Sequence, residues 1–145
     1  MGKKEIEIRE ATTDAEVLAT LPVMLQLRPH LAKEGYLPAV RRQQRSGYRL
    51  AAALEGDTVR AVAGFRLVEN LAWGRFLYVD DLVSDESARS RGHGTALLDW
   101  LVGEARREDC AALHLDSGTH RAGAHRFYFR EGLYISSYHF ARELK

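Results

Sequence analysis

The sequence has too few cysteines for a disulfide or a cysteine metal cluster, and it has no apolar run long enough for a membrane helix. Its 145 residues include a single cysteine, Cys110, so no disulfide can form within the chain and no cluster of cysteine ligands can hold a metal. No apolar run approaches the roughly 20 residues that a membrane-spanning helix needs. The segment MGKKEIEIRE is charged and lacks the apolar core of a signal peptide. We therefore expect a cytoplasmic protein with no membrane partner.

The chain also lacks an excess of either charge. It has 21 basic and 20 acidic residues and a formal net charge of +1, whereas nucleic-acid-binding domains usually carry a marked basic excess. We interpret the basic run RRQQR at 41–45 as a solvated helix face, and we expect no nucleic-acid partner. With 46% hydrophobic and 28% charged residues, the length fits one domain, residues 1–145, with a sizeable core.

Hydrophobic periodicity predicts an α/β fold whose sheet is mostly antiparallel. Alternating segments predict strands at 6–11, 48–56, 60–70, 74–83, 112–118 and 133–144. Helical spacing predicts helices at about 94–107 and 122–131. The strand–helix–strand unit at 75–117 implies one parallel crossover, because parallel neighbours need a long connection.

The helical region between the first two strands carries its own signals. Thr13 and Glu16 form a capping box that opens a helix. Pro22 is expected to divide this region, because proline inside a helix removes a hydrogen bond and clashes. A further helix is predicted to start at Leu37, with Pro38 in its first turn.

The hexamer RSRGHG, residues 89–94, lies between a predicted strand and a predicted helix. Backbone N–H groups at a helix N-terminus are free to bind an anion. Gly92 and Gly94 remove side chains that would block the approach, and Arg89 and Arg91 add positive charge. A diphosphate is the natural ligand for such a loop, and a flexible strand-to-helix turn is the alternative.

Two other glycine motifs do not fit this hexamer. A nucleotide-binding P-loop needs lysine and then serine or threonine after its second glycine, but Thr95 and Ala96 follow Gly94. The dinucleotide-binding fingerprint needs a third glycine where this chain has Leu97.

The spacing Arg-x-x-Gly-x-Gly at 89–94 resembles motif A of the GCN5-related N-acetyltransferase (GNAT) superfamily. Further along, AHRFYFREGL at 124–133 is similar to the Ala-x-x-Phe-Tyr-x-x-x-Gly segment of the same superfamily. The resemblance covers nearly the whole chain and includes the order of elements. It implies the GNAT fold, with a mixed, mostly antiparallel sheet of six to seven strands flanked by about four helices.

The resemblance also implies a binding site for acetyl-CoA as co-substrate, with no metal. Backbone groups at the end of the strand before the hexamer would bind the pantetheine arm; these belong to Leu82, Val83 and Ser84. The diphosphate would lie on the loop formed by Arg89, Ser90, Arg91, Gly92, His93, Gly94 and Thr95. The chain departs from the family pattern at Arg121, where asparagine is frequent, and at Ser84 and Glu86, where valine and proline are usual.

Acetyl transfer to an amine requires removal of a proton, because amines are mostly protonated at neutral pH. Asp80 and Asp81 are candidate bases, and a water chain using neither is the alternative. Strands alternate their faces, so we expect the two carboxylates to point in opposite directions. The register favours Asp80, whose pKa partial burial would raise. By resemblance, Tyr128 is the acid that protonates the leaving thiolate, and a role as one more core aromatic is the alternative.

These observations predict an N-acetyltransferase that moves an acetyl group from acetyl-CoA directly to a primary amine of a small molecule or a peptide. A non-catalytic acyl-CoA-binding module of the same fold is the alternative. The acceptor should contact the helical region at 22–46 and the loop at 69–74, where Tyr36 and Trp73 could stack on an organic amine or belong to the core. Dimers are frequent in the superfamily, so a homodimer is possible.

Overall fold

A computed structural model of the protein describes residues 5–145. They fall into two compact units, one ending at His114 and the other spanning Leu115–Lys145. The strands are β1 (Ile6–Glu10), β2 (Arg49–Glu55), β3 (Thr58–Asn70), β4 (Gly74–Ser84) and β5 (Ala112–Leu115). The α-helices are α1 (Asp14–Ala19), α2 (Leu21–Leu27), α3 (Lys33–Gln44), α4 (His93–Arg107) and α5 (Ala122–Arg130), and a 3₁₀ turn covers Glu86–Ala88. Nowhere in residues 5–145 is there a helix long and apolar enough to cross a membrane.

The five strands form one mixed sheet in the order β1-β2-β3-β4-β5. The first four strands pair antiparallel with their sequence neighbours. Gly56, whose φ of 62° favours glycine, lies in the short turn that joins β2 to β3. The predicted mixed and mostly antiparallel sheet is therefore confirmed, although residues 5–145 supply five strands and not six to seven.

The sheet has helices on both faces. Leu50 of β2 is fully buried in a cluster that includes residues of α1, α2 and α3. Its neighbour Arg49 forms an ion pair with Glu104 of α4 at 2.8 Å. Because neighbouring strand residues point to opposite faces, α1 to α3 cover one face and α4 covers the other.

Local signals predicted the first two helices correctly. The hydroxyl of Thr13 accepts from the backbone of Glu16, and the Glu16 carboxylate accepts from the backbone of Thr13, which confirms the capping box. Pro22 occupies the first turn of α2, so the predicted division is also confirmed.

The predicted start of α3 is wrong. The helix begins at Lys33, so Pro38 lies inside it and cannot donate to the carbonyl of Glu34. The extra turn carries Tyr36, which is buried and whose hydroxyl lies 2.7 Å from the hydroxyl of Thr20. This tertiary contact outweighs the local cost of the proline.

The predicted strand at 133–144 does not form in this chain. Residues 133–145 are neither helix nor strand, although Gly132 ends α5 as predicted, with a φ of 88°. An alternating sequence forms a strand only when a neighbouring strand takes up its backbone hydrogen bonds. Among the described residues, none of the five strands pairs with 133–145.

Candidate active site

The hexamer 89–94 spans the loop before helix α4 and the first residues of that helix. Ser90 has a φ of 67° and Gly92 a φ of 91°, so two left-handed residues lie just before helix α4. Gly92 is the N-cap of this helix, which begins at His93. Alternating backbone conformations of this kind turn successive N–H groups towards one point, and the helix dipole adds positive potential there.

Two side chains of this loop anchor it to the sheet. Arg91 Nη2 donates to both carboxylate oxygens of Glu55, at 2.7 and 2.6 Å, and Glu55 ends strand β2. His93 is buried, with Nε2 3.5 Å from a Glu55 oxygen. Arg91 was expected to add charge beside the diphosphate, whereas the structure pairs that charge with Glu55. Arg89 is exposed.

The end of β4 that leads into the loop is held on one side by β3. Leu82, Val83 and Ser84 are opposite Ala63, Val62 and Ala61, respectively. The backbone N–H of the next residue, Asp85, donates to the carbonyl of Arg60 at 2.7 Å. Its carboxylate accepts from Gln26 at 3.1 Å, and this contact lowers the pKa of Asp85. The exit from the strand is thus fixed by both backbone and side-chain contacts.

Strand β4 has a β-bulge at Asp80. Gly64 is opposite Asp81 and Phe65 is opposite Val79. Asp80 is therefore the extra residue of β4, with no β3 residue opposite it in the strand register. A bulge changes the direction of side chains in the bulged strand. The simple alternation that predicted opposite faces for the two aspartates is interrupted here.

Asp81 is fully engaged by two donors. Arg28 Nε donates to Oδ1 at 2.9 Å, and the Tyr48 hydroxyl donates to Oδ2 at 2.8 Å. Arg28 also donates to the backbone carbonyl of Asp80 at 3.0 Å. These contacts join the end of α2, the residue before β2 and the bulge, and they leave both carboxylate oxygens of Asp81 hydrogen-bonded.

Asp80 has a different environment. Arg66 Nε donates to both of its carboxylate oxygens, at 3.1 and 2.9 Å. The guanidinium of Arg66 also lies over the Tyr48 ring, 5.3 Å from its centre. Burial raises the pKa of Asp80, and Asp81 adds to this effect, whereas the hydrogen bonds and charge of Arg66 oppose it.

The two aspartates therefore belong to one polar cluster, which we call the bulge cluster: Arg28, Tyr48, Arg66, Asp80 and Asp81. Arg28 bonds the carboxylate of Asp81 and the backbone carbonyl of Asp80, and Arg66 bonds the carboxylate of Asp80 and lies over Tyr48. That only one aspartate faces the acceptor stays a prediction. No local motif marks Arg28, Tyr48 or Arg66, since their partners lie 53, 33 and 14 residues away along the chain.

Tyr128 lies in the second unit, on helix α5. It is buried, and its ring contacts that of Phe127 at a centroid distance of 5.6 Å. The carbonyl of Tyr128 accepts from the backbone of Leu133 at 3.0 Å, which closes the helix end. Its catalytic role stays a prediction.

The two aromatic residues considered for acceptor stacking differ in environment. Tyr36 belongs to the core described above. Trp73 is half-exposed and stacks on His114 with a centroid distance of 4.0 Å and an angle of 11°. Within residues 5–145, no group of three histidine, cysteine or acidic side chains is arranged to hold a metal.

Comparison with known proteins finds N-acetyltransferases among the proteins that resemble this chain. An uncharacterized N-acetyltransferase, YhdJ of Bacillus subtilis (strain 168), is 34% identical over 139 residues, covering 94% of this chain and 98% of the relative. Solved structures share the fold at lower identity. The aminoglycoside N-acetyltransferase AAC(6')-Iy in complex with CoA gives a TM-score of 0.85 at 13% identity, covering 99% of this chain and 98% of that one.

Glucosamine-6-phosphate N-acetyltransferase from Arabidopsis thaliana gives a TM-score of 0.76 at 15% identity, covering 97% of this chain and 99% of that one. The model of the family described as "Acetyltransferase (GNAT) family" matches residues 17–132, a range that contains both the loop at 89–94 and the bulge cluster. This chain belongs to the GNAT family of acetyltransferases.

Proposed function

We propose that this protein transfers an acetyl group from acetyl-CoA to a primary amine of a small molecule or a peptide. One observation carries the proposal most strongly. The first unit contains both a loop with two left-handed residues directly before a helix N-terminus and, on the strand that leads to it, a half-buried carboxyl group with a raised pKa. Binding and proton removal therefore have candidate residues on the same strand–loop–helix segment.

The residues at 82–95 fit the diphosphate and pantetheine groups of acetyl-CoA. Ser90 and Gly92 have left-handed backbone conformations, and helix α4 begins directly after them at His93, so its N-terminus faces the loop. Arg89 is exposed and supplies positive charge. When bound, acetyl-CoA supplies an activated acetyl group. The chain would bind this co-substrate and remove a proton from the acceptor amine.

Within the bulge cluster, Asp80 is the better candidate for the base. A general base works best when its pKa approaches the working pH, and burial shifts Asp80 in that direction. Both carboxylates accept two hydrogen bonds, but those of Asp80 come from Arg66 Nε alone. Those of Asp81 come from Arg28 and Tyr48, which lie on separate segments, so we assign Asp81 a positioning role. Arg66 and Arg28 then orient the two carboxylates.

Tyr128 is proposed as the acid for the leaving thiolate, on the basis of its place in the second motif. Its burial is equally consistent with a core aromatic, so the hydroxyl has to be tested by substitution. We also propose that the protein acts in the cytoplasm.

The acceptor is proposed only as an amine class. Two structural neighbours are named for an aminoglycoside and for glucosamine 6-phosphate, so amino sugars belong in a screen together with polyamines and lysine peptides. The half-exposed Trp73 gives the 69–74 loop one aromatic surface for an organic acceptor.

The proposal is tested by measuring free thiol released from acetyl-CoA with each amine of this panel. We expect release that depends on the amine, together with an acetylated product detected by mass spectrometry. Thermal stabilisation by CoA with no release on any amine would instead indicate an acyl-CoA-binding module.

A further inference from the structure

Glu55 is a buried acidic residue beside the loop at 89–94. It ends β2, its side chain is 7% exposed, and in the sheet register it lies between Ile6 of β1 and Thr58 of β3. Acidic side chains are rarely buried to this extent unless they are paired. A carboxylate close to a bound anion also repels that anion. The position of Glu55 beside a loop proposed to bind a diphosphate therefore indicates a role other than attraction of the ligand.

Arg91 makes two short contacts with this carboxylate. Its Nη2 donates to both oxygens, at 2.7 and 2.6 Å, distances that are typical of strong charge-assisted hydrogen bonds. His93 Nε2 and Arg60 Nε each lie 3.5 Å from Oε2 of Glu55, so their attraction is weaker. The side chain of Arg91 is 48% exposed. Its position is therefore fixed by the bonds to Glu55 and not by burial.

Arg91 lies between the two left-handed residues of the loop. Ser90 precedes it with a φ of 67°, and Gly92 follows it with a φ of 91°. The left-handed conformation is unfavourable for serine but not for glycine. Such a conformation persists where surrounding contacts fix the chain, and the Arg91–Glu55 pair fixes the residue next to Ser90.

A second ion pair holds the segment where it leaves β4. The carbonyl of Arg60 accepts from the backbone N–H of Asp85 at 2.7 Å, and Arg60 Nη1 donates to the Asp85 carboxylate at 3.3 Å. Since Arg60 Nε also approaches Glu55, its guanidinium lies between two carboxylates. The sheet thus holds the segment both at Asp85, before the 3₁₀ turn, and at Arg91, before α4.

We infer that Glu55 is a positioning residue for acetyl-CoA, an inference that rests on the proposed binding of this co-substrate at 89–95. By holding Arg91, Glu55 keeps the loop in one conformation before the ligand arrives. A preformed site loses less affinity to the ordering of its backbone than a mobile one. This gain exceeds the repulsion between Glu55 and the diphosphate, because Arg91 neutralises the carboxylate.

Glu55→Gln separates positioning from charge, because the two predict opposite results. The substitution keeps the size of the side chain and removes its negative charge. If Glu55 acted only through its charge, the variant would bind the anion more tightly. Because Glu55 holds Arg91, its loss should instead weaken CoA binding by about fivefold or more. Calorimetric titration of CoA measures this at a temperature where the variant is folded.

Arg91→Gln breaks the same pair from the other side. Arg91 is half-exposed, so its replacement leaves no cavity in the core, and it should also weaken CoA binding. The double variant Glu55→Gln/Arg91→Gln should bind CoA no more weakly than the weaker single variant, because residues that act through one contact are not additive.

Glu10→Gln is the matched control. Glu10 ends β1 as Glu55 ends β2, and it accepts from Nε and Nη2 of Arg49 at 2.9 and 2.7 Å. The substitution therefore removes the same charge and a comparable ion pair at the opposite end of β1 from Ile6, the neighbour of Glu55. This variant should bind CoA like the wild type.

Unchanged or tighter CoA binding in Glu55→Gln, with a wild type that binds CoA, would overturn the inference and leave the proposed function standing. Additive losses in the double variant would overturn it as well. A wild-type protein that binds no CoA would overturn the proposed function and this inference together. In turnover, Glu55→Gln should raise the KM for acetyl-CoA and keep kcat near the wild-type value. A lower kcat with an unchanged KM would contradict the positioning role.

Discussion

Tyr48 donates a hydrogen bond from its buried side chain to Oδ2 of Asp81, at a distance of 2.8 Å. The hydroxyl reaches the carboxylate through space that only glycine leaves open, because a β-carbon on Gly64 would lie 1.8 Å from the Tyr48 oxygen. Gly64 is also the residue opposite Asp81 in the sheet. One glycine on β3 therefore permits the contact that fixes the bulge cluster.

Gly64→Ala should destabilise the protein. Tyr48 has to move, since the new methyl group would meet its ring and hydroxyl, and overpacking of this kind costs about 1–3 kcal/mol. Chemical denaturation measures the free energy of unfolding. Gly35→Ala is the control, because no atom lies within 4 Å of the added carbon; its stability should be unchanged or higher. Equal stability of the two variants would mean that the site relaxes without cost.

Asp80→Asn should slow turnover and remove the acidic limb of the kcat/KM profile. The substitution keeps the shape of the side chain but abolishes its basicity, and burial places the pKa of Asp80 above its usual value of 3.8. An acceptor amine of low pKa keeps the free amine available throughout the measurement. Asp81→Asn is the matched control and should keep the limb. If Asp81→Asn alone loses it, the two roles are reversed.

Arg66→Gln should move the acidic limb of the kcat/KM profile to higher pH. Arg66 lowers the pKa of Asp80 through its hydrogen bonds and its charge, while burial raises it. Without the Arg66 cation, less opposes the effect of burial, so the pKa of Asp80 rises and its carboxyl group stays protonated to a higher pH. Arg66→Lys retains the charge and should shift the limb less. A purely structural role for Arg66 would change the rate but not the position of the limb.

The raised pKa of Asp80 also makes the free energy of unfolding depend on pH. The folded protein holds the Asp80 proton more tightly than the unfolded chain, so the free energy of unfolding decreases as pH rises from 3.8 to the raised value. Asp80→Asn should remove this contribution from the pH dependence.

Tyr128→Phe should lower kcat by roughly 10- to 10,000-fold if the hydroxyl is the general acid. The KM for acetyl-CoA should change little, because only one hydroxyl is lost and the ring remains in place beside Phe127. Steady-state kinetics with a saturating amine separates the two constants. A kcat within twofold of the wild-type value, with chemistry rate-limiting, would assign Tyr128 to the core.

Features that depend on neighbouring residues could be predicted from the sequence. The capping box of α1 needs only Thr13 and Glu16, and both form it as expected. The left-handed φ at Gly92, just before α4, agrees with the glycine spacing of the hexamer. These features depend on local backbone geometry, which the residue types determine directly.

Features set by tertiary contacts could not be predicted. The bulge at Asp80 lies where Gly64 of β3 and Tyr48, the residue before β2, meet β4. No local sequence pattern predicts this meeting. Arg91 pairs with Glu55, which is 36 residues away. The alternating sequence at 133–144 predicts a strand, but within the described chain this segment pairs with no strand.

The proposed chemistry depends first on acetyl-CoA binding to the loop at 89–95, and calorimetric titration of CoA into Gly94→Val tests this most directly. A branched side chain at Gly94 should block the anion and weaken binding by about tenfold or more, a loss of about 1.4 kcal/mol. Gly103→Val places the same side chain further along α4, where an added carbon meets only the end of Arg107 at 3.6 Å, and should bind CoA like the wild type. Undiminished CoA affinity in a Gly94→Val protein that still melts cooperatively would contradict the proposed site.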